Sequence, residues 1–487
     1  MALTTNLLFQ GTVSLSAIST AAEGSFDEVI HLAVQLQNAV ERGLDEQEFQ
    51  EPTKPLNILL LYADDWRHDS LSSAGTQIVS TPFLDRLAQK GIRFTQNCVT
   101  TSICWISRAT LHTGQWFSRH NSSKLAEPHW YSSNNDTFPN VLRENGYYTG
   151  HIGKWNWWYE DQGPTFDVFN IYEGDHWMED HDNNGAMTHV TKLNEKHGMN
   201  FLKDRPKDKP FHLTIAFFAP HSVDGDPEQY LPQKESMTLY ADTEVPVPVN
   251  GGDEFWSKLP DMFTDTFEGR VRYFMRFDSP EKYQKMMKNY YRLISEVDKA
   301  CETLVKELER QGILHETLII FTTDNGYFHA EHGLAGKWLP YQESIRVPLI
   351  IQDPRMHPRH HGTLNDDFTL NVDLASTILS AAGIPQRERM QGRDISELYR
   401  GKDVPEWRTE FFYEHPNVLD DPNCIPTSLA LVSKEYKYIE YPEFNTKQFF
   451  HLKKDPMEEN DLINDPDYAR IIATMEVQLR KLEKDSK

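Results

Sequence analysis

The feature that most constrains the fold is a set of short apolar runs separated by longer amphipathic stretches. The first run is Asn57–Tyr62. Similar runs follow at His212–Phe218, Leu318–Thr322 and Val347–Ile351. Runs of this kind are typical of strands buried on both faces of a mostly parallel sheet. Between them, Met286–Leu308 has apolar residues at helical spacing and is followed by Gly312, which is placed to end a helix. The alternation predicts a doubly wound α/β domain.

Changes in composition and in hydrophobic pattern along the chain suggest the domain boundaries. We expect residues 1–54 to be an N-terminal lead-in segment with some helical spacing, residues 55–387 to form the main α/β domain, and residues 388–487 to form a smaller C-terminal α+β subdomain. The last of these has short stretches typical of antiparallel strands, followed by a closing helix at Ile471–Leu482. Residues 222–280, rich in Pro and Asp, are predicted to be an irregular insertion.

Composition excludes several classes of function. The chain has 49 Lys+Arg against 73 Asp+Glu, a net charge of −24, which argues against a nucleic-acid partner or an anionic membrane surface. A positive site for an anionic substrate must therefore be local. Four scattered cysteines are too few for a disulfide framework or a zinc cluster. No apolar run approaches the ~20 residues of a membrane span, and Met1–Gly24, which lacks Lys and Arg, is a poor secretory signal.

Acidic side chains follow two of the predicted strands. Asp64 and Asp65 come directly after the first run, and Asp324 and Asn325 follow the run that ends at Thr322. Ligands of open α/β sheets gather at the carboxyl ends of the strands. These oxygens form a hard donor set suited to Ca²⁺, or to Mg²⁺ in a tighter geometry, and poor for zinc. An Asp-Asp pair after a strand is more often a cap or turn, but two such strand ends in one sheet favour a metal site.

A second group of candidate residues lies in Ser102–Gly114. The pattern predicts a loop leading into a short helix, with Cys104 at its N-terminus and Arg108 one turn later on the same face. Such a helix end favours negative charge. An unmodified Cys104 is a candidate low-pKa nucleophile, although no histidine partner can be read from the sequence. The alternative is a buried thiol beside a capping turn.

These segments resemble the type I, formylglycine-dependent sulfatases of the alkaline-phosphatase superfamily. The family signature is Cys-x-Pro-Ser-Arg followed at fixed distance by Thr-Gly, and this chain has Cys104-Trp105-Ile106-Ser107-Arg108 with Thr113-Gly114. Further segments that match in order are Asn57–Asp65, Gly146–Trp155, Phe218–His221, Asp324–Gly326 with His332-Gly333, Lys337, Arg346–Pro348, Gln391–Asp394 and Phe450–Pro456. The resemblance runs from about Leu56 to the C-terminus.

The resemblance implies that a formylglycine-generating maturation enzyme oxidises Cys104 to formylglycine, whose hydrated aldehyde attacks the sulfur of a sulfate ester. It implies a divalent metal, Ca²⁺ or Mg²⁺, whose ligands are Asp64, Asp65, Asp324, Asn325 and residue 104. Arg108 would orient the hydrate, and Lys154 would bridge the nucleophile and the sulfate. Lys337 would hold a sulfate oxygen, and His221 would donate a proton to the departing alcohol. A periplasmic or secreted location is implied as well, but the weak N-terminal signal leaves a cytoplasmic location as the alternative.

Two positions depart from the family pattern. The motif proline, which commonly helps the maturation enzyme recognise its substrate, is Ile106, so conversion of Cys104 is an open question. The histidine that usually stands two residues after the lysine of the Gly-Lys-Trp motif is Asn156, which cannot act as a base near neutral pH. Another group must therefore assist the breakdown of the sulfated intermediate, and His151 and Glu160 are the nearest candidates in the sequence.

Aromatic residues after Lys154 predict where a substrate binds. The candidates are Trp157, Trp158, His176 and Trp177, whose rings suit stacking against a sugar, with core packing as the alternative. We therefore expect hydrolysis of a sulfate ester on a saccharide or polysaccharide. A phosphate ester or phosphonate hydrolase on the same scaffold and a non-catalytic binder of sulfated glycans are the alternatives.

Overall fold

The strand Asn57–Ala63, buried along its whole length, lies near the middle of an eight-stranded sheet around which the protein is built. The structure is a computed structural model that describes residue 52 and residues 54–76, 78–121, 137–156, 165–401, 404–418 and 421–487. The predicted helical spacing of the lead-in segment lies outside the described residues, as do Trp157, Trp158 and Glu160.

The β-strands of the described residues begin at Asn57 and end at His451. They are β1 (Asn57–Ala63), β2 (Ile92–Phe94), β3 (Asn97–Cys98), β4 (Tyr148–Gly153), β5 (Val168–Ile171), β6 (Trp177–Asp180), β7 (Ala186–His189), β8 (Phe211–Ala216), β9 (Thr317–Thr323), β10 (Phe328–His329), β11 (Ala335–Gly336), β12 (Leu349–Gln352), β13 (Thr363–Asn365), β14 (Thr369–Leu370), β15 (Glu410–His415), β16 (Ser428–Ser433), β17 (Tyr436–Tyr441) and β18 (Thr446–His451).

The α-helices alternate with these strands through most of the chain. Among the described residues they are α1 (Pro82–Lys90), α2 (Cys104–Thr113), α3 (Phe117–His120), α4 (Phe138–Glu144), α5 (Val190–Asp204), α6 (Asp253–Trp256), α7 (Glu268–Arg276), α8 (Pro280–Arg310), α9 (Gln342–Ile345), α10 (Asp373–Ala381) and α11 (Ala469–Ser486). None of them is long and apolar enough to cross a lipid bilayer.

The central sheet has the strand order β13-β2-β12-β9-β1-β8-β4-β5. Strands β9, β1, β8, β4 and β5 run parallel, and β12 runs antiparallel to both of its neighbours. Alternate residues of β1 enter different cores: Leu59 and Leu61 pack with α1, α5 and α8, whereas Ile58 and Leu60 pack with α2, α4 and α10. The predicted α/β class is confirmed, because both faces of the sheet are covered by helices.

The longest helix, α8, follows the predicted periodicity. It spans 31 residues, and the Ser279 side chain caps its start by accepting a hydrogen bond from the Lys282 amide at 3.3 Å. Leu293, Val297 and Leu304 are fully buried against the sheet. Gly312, two residues after the helix, has φ +71°, a conformation that favours glycine.

The C-terminal part forms a separate antiparallel sheet in the order β15-β16-β17-β18. One face carries Phe412 and Leu431, which pack against α11, and the other carries Tyr413 and Val432, which pack against the main body. The predicted antiparallel strands and closing helix are therefore present. Residues 54–487 form one compact unit, so the boundary at residue 388 stays a prediction.

The segment 222–280 is less irregular than the sequence suggested, because it contains α6 and α7. Helix α7 lacks a clean apolar stripe: Val271, Phe274 and Met275 are each about 40% exposed. Instead, the guanidinium of Arg270 lies 4.7 Å from the Trp256 ring centroid. Arginine–aromatic contacts of this kind have no spacing that a periodicity search detects.

A buried ion pair in the C-terminal part, one member of which also contacts the main body, yields a stability prediction. Lys437 in β17 contacts Glu458, both side chains are fully buried, and Glu458 also accepts the Gln342 amide at 2.7 Å. Lys437→Met should lower the free energy of unfolding by about 3–5 kcal/mol, because it leaves a buried carboxylate without its partner. Urea denaturation measures this loss.

The double variant Lys437→Met with Glu458→Gln should recover more than half of the lost stability, since no buried charge remains. Lys434→Met is the matched control, because that lysine is 39% exposed and pairs with Asp366 at the surface. It should change stability by less than about 1 kcal/mol. Equal losses for Lys437→Met and Lys434→Met would contradict a role for the buried pair.

Candidate active site

The register of β1 and β9 brings the two acidic strand ends together. The strands run parallel with Ala63 opposite Thr323, so Asp64 and Asp324 emerge side by side at the same edge of the sheet. Both carboxylates are fully buried. The amide of Asp65 donates to Asp324 Oδ1 at 3.3 Å, which ties the two strand ends to each other. The predicted acidic residues thus converge.

The next two strands of the sheet, β8 and β4, place one basic side chain, Lys154, at the same edge. Gly153 of β4 and Tyr62 of β1 both pair with Ala216 of β8, and Lys154 directly follows Gly153. The Lys154 amide donates to the Ala216 carbonyl at 2.8 Å. Gly153 has φ +105°, and a Cβ there would lie 2.0 Å from the Ala216 oxygen. Glycine is therefore required just before the lysine.

Each buried carboxylate has its own cation. Lys154 pairs with Asp64, Lys337 pairs with Asp65, and the Arg108 guanidinium contacts Asp324 Oδ2 at 2.8 Å. All three cations are nearly fully buried. Arg108 also lies 4.8 Å from the centre of the Tyr62 ring. The site is therefore a compact set of alternating charges, and the −24 net charge of the chain does not describe its local field.

Three oxygen atoms of this set are buried but accept no hydrogen bond from the described part of the chain. They are Asp64 Oδ1, Asp65 Oδ2 and Asn325 Oδ1. Ligand atoms of Asp64, Asp65 and His221 also lie within 4.8 Å of one another. Buried oxygens normally have a partner, and a set of hard oxygen donors matches a divalent cation such as Ca²⁺ or Mg²⁺. The residues therefore fit a metal ion.

Burial and neighbouring charges shift the pKa values of the carboxylates in opposite directions. Burial, reinforced by the charge of Asp324 and opposed by Lys154, raises the pKa of Asp64 to about 8. Burial would also raise the pKa of Asp65, but Lys337 and other positive neighbours outweigh it and lower that pKa. Arg108 does the same for Asp324. The crowding of negative charge at Asp64 is what a bound cation would relieve.

His221 faces the carboxylates from the segment after β8. Its Nδ1–H donates to the Ser222 carbonyl at 2.6 Å, which leaves Nε2 facing Asp65 Oδ2 at 3.5 Å. Burial lowers the pKa of His221 to about 3, although Asp65 opposes the shift. The side chain is 13% exposed. His221 thus holds one nitrogen at the site in a defined tautomer.

Helix α2 begins at Cys104, as predicted, and Gly114 ends it with φ +62°. Burial raises the pKa of the Cys104 thiol, although the charges of Lys154 and Lys337 oppose this shift. An unmodified thiolate nucleophile is therefore disfavoured. Arg108 lies one turn along α2 and donates through Nε to Asp324 at 2.9 Å, which fixes the start of the helix beside the carboxylates.

The residues around Lys154 bear on the missing family histidine. Asn156 has φ +77°, and its backbone amide donates to the Glu173 carboxylate at 2.9 Å. The buried side-chain oxygen Oδ1 accepts no hydrogen bond from the described residues. His151 donates to the Lys154 carbonyl at 3.0 Å, and burial lowers its pKa to about 3. It lies among aromatic rings, so its geometry does not favour a role as a base.

The predicted aromatic substrate contacts have different surroundings. His176 is fully buried, accepts the Leu231 amide at 3.1 Å and packs between Phe218 and His189. Trp177 is partly buried in β6 and packs edge-on against His189. The geometry favours a packing role for His176, whereas a substrate contact by Trp177 stays a prediction.

Two features of the site escaped the sequence reasoning. The hydroxyl of Tyr290 in α8 donates to the Asp65 carbonyl at 2.9 Å and so supports the turn, where Asp65 has φ +55°. Asp224 and Arg272 form an ion pair beside His221 at 2.9 Å. Neither belongs to a motif, and only the periodicity of α8 placed Tyr290 on a helix.

A group of buried oxygens that fits a cation, three fixed positive charges and a histidine are together typical of the active site of an ester hydrolase on an α/β scaffold. Residues 56–384 match the family described as Sulfatase, and residues 330–485 match the one described as N-sulphoglucosamine sulphohydrolase, C-terminal. The chain therefore belongs to the sulfatase family, within the alkaline-phosphatase-like superfamily, and hydrolyses sulfate esters. Enzymes of this family generally use a formylglycine and a divalent metal.

Individual relatives are distant but match over most of their length. The chain is 26% identical to an N-acetylglucosamine-6-O-sulfatase of Bacteroides thetaiotaomicron over 486 residues, covering 86% of this chain and 85% of the relative. A solved structure in complex with its substrate D-glucosamine-2-N,6-O-disulfate has a TM-score of 0.75 and 23% identity, covering 89% and 98% of the two chains. A phosphonate monoester hydrolase of Agrobacterium radiobacter has a TM-score of 0.73 and 21% identity, covering 89% and 96%.

The predicted metal ligands Asp64, Asp65, Asp324 and Asn325 form an oxygen cage, and we expect Asp324 to be essential for metal binding. Asp324→Asn should abolish binding of Ca²⁺, because an amide removes a charge from the cage and no longer matches Arg108. In the wild-type protein, Ca²⁺ at 100 times its Kd should raise the free energy of unfolding by about 2.7 kcal/mol. Denaturant titration with and without Ca²⁺ measures this gain, which the variant should lack.

Asp353→Asn is the matched control. Asp353 is equally buried and contacts Arg355 at 2.6 Å, but it follows β12, which runs antiparallel to β9 and so ends at the opposite edge of the sheet. This variant should keep the full response to Ca²⁺. Undiminished metal binding by Asp324→Asn would rule out the assigned cage.

Proposed function

We propose that this chain hydrolyses a sulfate ester on a saccharide, with residue 104, as formylglycine, beside a divalent metal. The observation that carries the proposal is the convergence of Asp64, Asp65 and Asp324 with three buried cations and with three oxygens that accept no hydrogen bond from the described residues. Burying so many charges costs several kcal/mol each, and apolar side chains of similar size would stabilise a purely structural core at least as well.

The proposed metal ligands are the side chains of Asp64, Asp65, Asp324 and Asn325, together with residue 104. Ca²⁺ suits a set of charged and amide oxygens of this kind, and Mg²⁺ is the choice if the cage is tighter. When present, the metal and the formylglycine supply Lewis acidity and the attacking oxygen. Conversion of Cys104 requires the formylglycine-generating maturation enzyme.

The basic residues have the task of holding the transferring group. Lys154 pairs with Asp64 and Lys337 with Asp65, and both ammonium groups are nearly fully buried, so solvent screens their charge little. Arg108 is held by Asp324 and by the Lys154 carbonyl, so its guanidinium is fixed before a substrate arrives. Fixed positive charges of this kind stabilise the negative charge that spreads over the oxygens of a sulfuryl group.

His221 is the proposed proton donor. Its Nδ1–H is committed to the Ser222 carbonyl, so a proton can reach the site only from Nε2. Burial lowers the pKa of His221 to about 3, so Nε2 must take up this proton when the substrate binds, and the negative charge of the sulfate favours that. A departing sugar alkoxide is a poor leaving group at neutral pH, and a proton placed at Nε2 would neutralise it as the bond to sulfur breaks.

The first substrate to test is N-acetylglucosamine 6-sulfate. The support comes from the relative named as an N-acetylglucosamine-6-O-sulfatase and from the neighbour that binds a glucosamine disulfate. The second match, over residues 330–485, also belongs to a family named for a sulfated glucosamine. Trp157 and Trp158, and Trp177 in β6, remain the predicted ring-stacking residues.

The phosphonate monoester hydrolase neighbour motivates a direct comparison of esters. The metal-loaded, matured enzyme should hydrolyse N-acetylglucosamine 6-sulfate with a kcat/KM at least about a hundredfold above that for N-acetylglucosamine 6-phosphate or phenyl phosphonate monoesters. Release of sulfate, phosphate or phosphonate, measured by ion chromatography, decides. A preference for either phosphorus ester would overturn the sulfatase assignment of this site, and binding without turnover would favour a glycan-binding protein.

The departure at Ile106 predicts incomplete maturation of Cys104. Mass spectrometry of the tryptic peptide should show an aldehyde at position 104 after co-expression with a formylglycine-generating enzyme, in a fraction that Ile106→Pro increases. Position 106 is the third residue of α2, where the amide needs no helical partner, so proline is tolerated. Sulfatase activity should rise in proportion to the aldehyde, and Cys104→Ala is the inactive control. A thiol in every preparation would contradict the proposed cofactor.

A further inference from the structure

An ion pair bridges the two sides of the candidate active site. His221 and Lys337 both reach Asp65, from opposite sides of the carboxylate. Beyond Lys337 comes Trp338, whose ring centroid lies 5.1 Å from the Arg272 guanidinium. Arg272 in turn contacts Asp224 at 2.9 Å. The Asp224–Arg272 ion pair is therefore part of a chain of contacts that leads through Arg272 and Trp338 to Lys337, at the metal cage.

Asp224 is also linked to His221, through Ser222. The Ser222 hydroxyl donates to Asp224 Oδ1 at 2.9 Å, and the Ser222 carbonyl is the acceptor that fixes His221. The segment from His221 to Asp224 is therefore one hydrogen-bonded turn. Asp224 is therefore linked through Ser222 to the hydrogen bond that orients the His221 ring.

The donors that hold Asp224 all bind the same oxygen. Oδ1 receives the Ser222 hydroxyl at 2.9 Å, Arg272 Nη1 at 2.9 Å and Arg276 Nη2 at 2.7 Å. Arg276 is itself fully buried and fixed by Gln229 and Tyr327. The carboxylate is thus rigid, and its orientation does not have to be established when a ligand arrives.

The second oxygen is free. Oδ2 of Asp224 accepts no hydrogen bond within the described residues, and the side chain is 44% exposed. Burial tends to raise the pKa of Asp224, but positive neighbours, the two arginines among them, hold it below its usual range. A charged, rigid acceptor therefore faces solvent beside the candidate proton donor.

We propose that Asp224 is a specificity-determining residue whose free Oδ2 accepts a hydrogen bond from a hydroxyl of the sugar that carries the sulfate. This inference rests on the proposed function, because the sugar that leaves as the alcohol must lie next to His221. A hydroxyl is the suitable partner, since Oδ2 is an acceptor and a second anion there would be repelled. Substrates without a neighbouring hydroxyl gain nothing from Asp224.

The test is the variant Asp224→Asn. Three donors converge on Oδ1, so the amide oxygen takes that position and the amide nitrogen replaces Oδ2, which turns the free acceptor into a donor. The arginines keep a partner, so the variant should fold, as thermal unfolding checks. For N-acetylglucosamine 6-sulfate we expect kcat/KM to fall by about ten- to a hundredfold. For 4-nitrophenyl sulfate, which has no hydroxyl, it should change less than about threefold.

Deoxygenated substrates identify the partner hydroxyl. Against the wild-type enzyme, either 3-deoxy- or 4-deoxy-N-acetylglucosamine 6-sulfate should lose the same factor that Asp224→Asn loses with the parent sugar. Against Asp224→Asn, that analogue should lose almost nothing more, because the interaction is already absent. Asp226→Asn is the matched control: this carboxylate lies in the same turn, and from the part of the chain that the structure describes it accepts only the Glu228 amide, at 2.7 Å.

Each outcome is decisive. An equal loss for the sugar and the nitrophenyl ester would show that Asp224 acts on the fold or on His221, and would overturn the inference. Unchanged rates for the sugar, or additive losses with both deoxy analogues, would overturn it as well. If the mature wild-type enzyme hydrolyses neither sulfate ester, the proposed function fails and this inference fails with it. A sugar-selective loss that one deoxy analogue reproduces is the expected result.

Discussion

The parallel pairing of β1 with β9 is the constraint on which the rest of the structure depends. It places Asp64 and Asp324 next to each other in a fully buried environment, where unpaired carboxylates would be prohibitively costly. Three cations therefore have to arrive from elsewhere: Lys154, Lys337 and Arg108. Each comes from a different element, so the position of β4, α2 and the segment after β11 is fixed by charge as well as by packing.

This balance explains how an acidic protein can act on an anion. Each of the three cations pairs with one of the three carboxylates of the cage. The charge of any metal bound by the remaining oxygens is then left uncompensated and available to a sulfate group. The excess of acidic residues recorded by the net charge of −24 lies elsewhere and does not cancel it, because the site is buried and the screening of outer charges is effective.

The sequence was sufficient for those parts of the fold and site that depend on local patterns. Continuous apolar runs revealed β1, β8, β9 and β12, because strands buried on both faces have no polar positions to interrupt them. Strand ends then located Asp64 and Asp324, and the resemblance to sulfatases supplied the lysines. Helix α7 and the surroundings of His176 were not predictable, because they depend on contacts between segments far apart in the chain and on arginine–aromatic packing without periodicity.

The same reasoning explains why the edge of the site was invisible in the sequence while its centre was not. Central residues follow strands, and a register shared by neighbouring strands makes their meeting a geometric necessity. Asp224 gains its environment from Arg272 and Arg276, which stand about fifty residues later in α7. The two arginines also offset the charge of Asp224, so a free carboxylate oxygen is presented beside an anion-binding site with little electrostatic penalty. A residue that determines substrate specificity, such as Asp224, can thus vary with the inserted segment 222–280, while the charged residues that follow the strands of the central sheet stay fixed.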